Sequence, residues 1–81
     1  MPKEITSPLH QTFVENVKAR RKQLKLRQED VASRLGMTTQ AYGQIENGRF
    51  APGIELIGRV ADALEMPASE LFAGMHVAGG V

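Results

Sequence analysis

The 81-residue sequence contains no cysteine and no tryptophan, and only two histidines. Without cysteine there is no disulfide framework and no thiolate to hold a metal or attack a substrate, so a reducing compartment is the expectation. A chain of this length makes one domain with a single small core and little stability to spare. His10 and His76 stand alone and do not make a metal site between them. No apolar run approaches the roughly 18 residues of a membrane span. The opening, MPKEITSP, lacks the hydrophobic region of a signal peptide, and a cytoplasmic protein is expected. Paired catalytic acids, a nucleophile with its base, and a phosphate-cradling loop are also missing. The sequence therefore predicts neither an enzyme nor a bound cofactor.

Net charge is only +1, which argues against a nonspecific coat for nucleic acid. Its distribution is lopsided. Residues 1–27 carry Lys3, Lys18, Arg20, Arg21, Lys22, Lys25 and Arg27 against Glu4 and Glu15, whereas the rest of the chain is acidic on balance. One end can thus face an anion. The plain alternative is a solvated helix end whose basic residues complement the helix dipole.

Helical signals run along most of the chain. Ser7-Pro8 reads as a cap followed by a first-turn proline, and Leu9, Phe13, Val17 and Leu24 recur on one face of the helix that follows. Arg21 falls on that same stripe, so it needs a partner: an unpaired buried charge costs several kcal/mol. A second helix, QEDVASRL, starts with acids, turns Val31, Ala32 and Leu35 inward and stops at Gly36. Thr38 caps a third that ends at Asn47-Gly48. A fourth, from about Ile54 to Glu65, places Ile54, Ile57, Ala61 and Leu64 inward. Met66-Pro67 breaks it, and ASELF forms a short fifth helix. The expected organisation is an N-terminal arm over 1–7, a helical domain over 8–73 and a flexible tail over 74–81.

The second and third helices are separated by a short turn containing glycine, the helix-turn-helix arrangement. Ala32 is small where the helices cross, Gly36 makes the turn, and Tyr42 and Ile45 fill the inner face of the third helix. Its opposite face then shows Thr39, Gln40, Gly43 and Gln44. An amide offers a donor and an acceptor together, matching the N6/N7 edge of adenine in the major groove, and Gly43 allows close approach. A merely solvated polar face is the alternative reading of these residues.

Over residues 14–72 the sequence resembles the Xre-type helix-turn-helix family of lambdoid phage repressors and Cro proteins. QEDVASRLGM resembles its first motif helix and turn, TTQAYGQIENGRFAP its recognition helix and exit loop, and ALEMPASELF its closing pair of helices. The resemblance implies an all-α, five-helix lambda-repressor-like domain. It further implies base contacts from Thr39, Gln40 and Gln44, phosphate contacts from Gln28, Asn47 and Arg49, and a structural ion pair between Arg21 and Glu46. Beside these, the position of Gly43 on the same face adds it to the expected base contacts, and Arg27 and Thr38 are added to the expected phosphate contacts. Three positions depart from the family pattern: Arg27, Gly53 and Pro67 stand where it usually has a hydroxyl cap.

The expected function is sequence-specific binding of double-stranded DNA by a homodimeric transcriptional regulator, a repressor, with no metal and no membrane partner. Met66, Leu71 and Phe72 are the candidate dimer surface, core filling being the stronger role for Leu71. Alternatives on the same fold are an antitoxin, a restriction-modification controller and a protein-binding adaptor.

Overall fold

The structure, a computed structural model, describes residues 7–74. Apart from Ser7 and Gly74, the expected arm and tail lie outside the described residues. Four α-helices follow in order: α1 (Pro8–Gln23), α2 (Gln28–Leu35), α3 (Thr39–Glu46) and α4 (Ile54–Ala63). The fifth element expected as a helix is a single 3-10 turn, Ala68–Phe72. The element's five residues, set between Pro67 and Ala73, are too few to close more than one or two α-type hydrogen bonds, so the tighter i→i+3 pattern takes over.

Two helix starts are set by hydroxyl caps. The Ser7 hydroxyl accepts from His10 N at 3.1 Å, and Pro8 loses nothing in the first turn, where its missing N–H would have no partner. Thr38 caps α3 by accepting from Ala41 N at 3.0 Å. The three departures from hydroxyl caps have a direct consequence: no side chain of Arg27, Gly53 or Pro67 caps the helix behind it. At α2 the Asp30 carboxylate compensates by accepting from Arg27 N at 2.8 Å.

The core is one cluster. Phe13, Val14 and Val17 of α1, Val31, Ala32 and Leu35 of α2, Tyr42 and Ile45 of α3, Val60, Ala61, Ala63 and Leu64 around α4, and Leu71 converge on it. Two residues assigned inward by periodicity are not there: Leu9 is 45% exposed and Ile54 is 86% exposed. Both sit in the first turn of their helices, where the apolar stripe has run past the body it packs on. Of the three residues expected near a dimer surface, Leu71 fills the core, and Met66 and Phe72 are partly buried against it. Phe72 stacks on Phe13 with ring centroids 5.7 Å apart.

Basic and amide side chains tie helix ends together. Arg20 donates from Nε to Leu64 O and from Nη2 to Glu65 O, both at 2.9 Å. Arg34 reaches Ala63 O at 2.7 Å, and Arg59 returns the favour at the end of α2 through Leu35 O. Asn16 holds Leu71 O and Ala73 O at 2.9 Å each. Carbonyls left without intrahelical partners at the ends of α2 and α4 are thus satisfied by charged donors from neighbouring helices. Arg20 is therefore structural, and Lys22, Lys25 and Arg27 of the basic N-terminal part are at the surface, with Lys18 half-buried.

Candidate nucleic-acid interface

The site is built on α2, its turn and α3. Gly36 ends α2 at φ 71°, a left-handed conformation that glycine adopts without steric cost. Its N–H donates to Ser33 O and that of Met37 to Ala32 O, closing the helix end and aiming the chain into α3. Tyr42 and Ile45 are wholly buried, fixing the rotation of α3 about its own axis. Thr39 and Gln40 consequently lie on the exposed side, with Gly43 and Gln44 half-buried along its edge.

A second constraint on that rotation is polar. Glu46 is 2% exposed, yet its carboxylate accepts four hydrogen bonds. Arg21 Nε donates to Oε2 at 2.7 Å and Arg21 Nη2 to Oε1 at 3.1 Å. Gln28 Nε2 donates to Oε1 at 3.0 Å and Tyr42 OH to Oε2 at 2.5 Å. Burial by itself pushes the Glu46 carboxyl up; the donors Arg21, Tyr42 and Gln28 outweigh it and hold the group below the ordinary glutamate value. Glu46 in turn raises Arg21, against a smaller opposing effect of burial. Tyr42 is pushed well up, first by burial and then by its bond to the carboxylate, so its phenol stays protonated. Arg21 also donates to Leu26 O at 3.0 Å, joining α1, the α1–α2 link and α3 in one network.

The structure distributes the other site residues unevenly. Gln28, Gly43, Glu46, Asn47 and Lys18 line one shallow cleft between the start of α2 and the end of α3. Lys18 has no sequence signal placing it there, because a lysine half a helix away from the motif carries no local indication of where it will point. The Gln28 amide, expected at a phosphate, is turned towards Glu46; its oxygen would lie 3.7 Å from a Cβ on Gly43. Arg27 stands apart on the surface, 3.4 Å from Glu29 and 4.0 Å from Asp30. Thr38 spends its hydroxyl on the α3 cap. Beyond α3, Asn47 Oδ1 accepts from Arg49 N at 3.0 Å, while Arg49 N and Phe50 N also reach Gln44 O, folding the exit loop back on the helix. Among the described residues, no group of three or more His, Asp or Glu side chains is placed to hold a metal ion, and no helix is long and apolar enough to cross a membrane.

Two helices joined by a left-handed glycine turn, the second buried by an aromatic and an aliphatic residue and polar outside, define a helix-turn-helix protein. A helix-turn-helix family model matches residues 17–71, and the chain belongs to that family, the Xre/Cro-like group of DNA-binding transcription regulators. The family match and the names of its relatives point to DNA-binding regulation. An uncharacterised HTH-type transcriptional regulator of Methanothermobacter thermautotrophicus is 42% identical over 48 residues, spanning 59% of this chain and 70% of the relative. The HTH-type regulator YqaE of Bacillus subtilis is 36% identical over 62 residues, 76% of this chain but 53% of its own length. A 10 kDa protein of the ImmF control region of Bacillus phage phi105 is 33% identical over 55 residues, 68% and 61% of the two chains. The chain thus spans little more than half of the Bacillus and phage relatives. Among solved structures, the hypothetical transcription factor NHTF from Neisseria superposes with a TM-score of 0.75 over 89% of this chain and 85% of that one; at 23% identity this is a likeness of fold. Iron(II) HppE gives the same TM-score at 32% identity, over 90% of this chain and 40% of that one.

Proposed function

We propose that the protein is a sequence-specific, double-stranded DNA-binding repressor that works in the cytoplasm as a homodimer and reads the major groove with α3. The observation that carries this reading is the sidedness of α3. Tyr42, Ile45 and Glu46 are buried, whereas Thr39 and Gln40 are exposed and Gly43 and Gln44 lie half-buried along the same polar edge. An amide-bearing edge beside a glycine fits adenine, and a helix of this diameter fits the major groove. One such helix meets few base pairs, so a two-fold dimer with half-sites about 34 Å apart supplies the specificity. The phage relative's control-region name favours repression. Arg27, Gln28, Thr38, Asn47 and Arg49 are assigned to the phosphates, and Lys18 joins them through the cleft it shares with Gln28 and Asn47.

Selection of bound duplexes from a random pool, followed by affinity measurements at two salt concentrations and sedimentation of the complex, tests the proposal. A two-fold symmetric preferred sequence, bound by two chains and weakened steeply by salt, is the expected result. Equal affinity for every duplex would contradict it.

A further inference from the structure

The exit loop after α3 presents a feature that polar base reading does not use. Phe50 is 47% exposed in a chain with only three phenylalanines. A single exposed apolar side chain is ordinary. This one is not isolated: Met37, Ala41 and Phe50 form the apolar walls of an open cleft whose remaining walls are Gln44 and Arg49. The cleft is anchored at both ends. Met37 packs against the core, while Phe50 N donates to Gln44 O at 3.2 Å and Arg49 N to the same oxygen at 3.0 Å. Phe50 is therefore held in fixed register with Gln44, on the edge assigned to base reading. No acidic residue lines the cleft, and the cationic Arg49 does, which suits a polyanion.

An apolar notch next to an adenine-reading amide has one complement in the major groove, the C5-methyl of thymine. We infer that Phe50, with Ala41 and Met37, forms a thymine-methyl pocket and is a specificity-determining residue at a position neighbouring the base read by Gln44. The inference rests on α3 entering the major groove. A protein partner at this cleft is the competing outcome.

The test uses the full chain and the best duplex from the selection. Each thymine is replaced singly by deoxyuridine, which removes only the methyl, and affinity is measured for the wild type, Phe50→Ala and Phe50→Leu. One thymine per half-site is expected to weaken wild-type binding roughly fourfold, the equivalent of about 0.8 kcal/mol for one buried methyl-sized group. Phe50→Ala should be indifferent to that replacement, and Phe50→Leu should keep part of the loss. Because Phe50 is half exposed, neither variant threatens folding, and unchanged thermal melting verifies this. If Phe50→Ala and wild type lose equally at every thymine, or neither loses at any, the pocket is refuted while a preferred duplex leaves α3 as the reader. If no duplex is preferred at all, both fail together.

Discussion

Glu46 shows why a buried charge is tolerated in so small a core. Its carboxylate is desolvated, a penalty of several kcal/mol, but four donors from three different helices converge on its two oxygens. Removing it leaves the partly buried Arg21 without its anion. Glu46→Ala should therefore cost about 3–5 kcal/mol, and a melting temperature within a few degrees of wild type would contradict this. The pH dependence has a definite sign. The folded carboxyl binds its proton more weakly than the unfolded one, so its contribution is complete above the unfolded value of about 4.3 and is lost as pH falls through the lower folded value. Acid denaturation curves should show Glu46→Gln losing less stability than wild type across that window. Gly43 separates folding from binding. A Cβ there meets only the Gln28 oxygen, at an ordinary 3.7 Å. Gly43→Ala should raise stability by about 1 kcal/mol through helix propensity, and weaken DNA binding if the groove floor approaches that point. Tighter binding by this variant would contradict the contact. At this scale the sequence was partly legible. Arg21 declared its need for a partner by lying on an apolar stripe, whereas the inward turn of Gln28 depends on where two other helices place Glu46, which no local pattern encodes.

The helices themselves were readable wherever a boundary is written in local chemistry: Ser7-Pro8, Gly36, Thr38 and Gly48 all mark their turns. Periodicity failed at the first turns, because Leu9 and Ile54 continue a stripe past the end of the surface it covers. The residues of the short 3-10 turn favour a helix, and only its length forbids one. Two helix ends are closed by residues that no rule would choose. Lys25 and Glu65 take the left-handed conformation, φ 60° and 59°, at the positions where glycine is preferred. A side chain in that conformation costs roughly 1–2 kcal/mol. Lys25→Gly should thus stabilise the fold by about 1 kcal/mol in denaturant melts; a loss of stability would mean that the lysine stem contributes more packing than its backbone costs. Glu65 differs, since its carboxylate also meets Arg34 at 3.0 Å, so the same substitution there forfeits an ion pair.

For the molecule as a whole, charge is placed more economically than a count suggests. Arg20, Arg34 and Arg59 bind helix-end carbonyls, and Arg21 binds Glu46, so much of the positive charge holds the bundle together. That division was hidden in the sequence, where a structural arginine and a phosphate-binding one look alike. Arg27 is the clearest surface cation near the motif, paired loosely with Glu29 and Asp30. Such exposed pairs contribute little, and a phosphate can displace them. Arg27→Ala should weaken binding to all duplexes alike and reduce the salt slope by about one; a loss confined to one base position would contradict the assignment.

The account stands on α3 presenting its amide edge to bases, and the most direct measurement is a base-by-base affinity profile of Gln44→Ala beside wild type on the selected duplex. A loss of about 1–3 kcal/mol of discrimination at one position per half-site, with the other positions unchanged, is predicted. An even loss across all positions would mean that Gln44 only positions the helix, and would contradict the central claim.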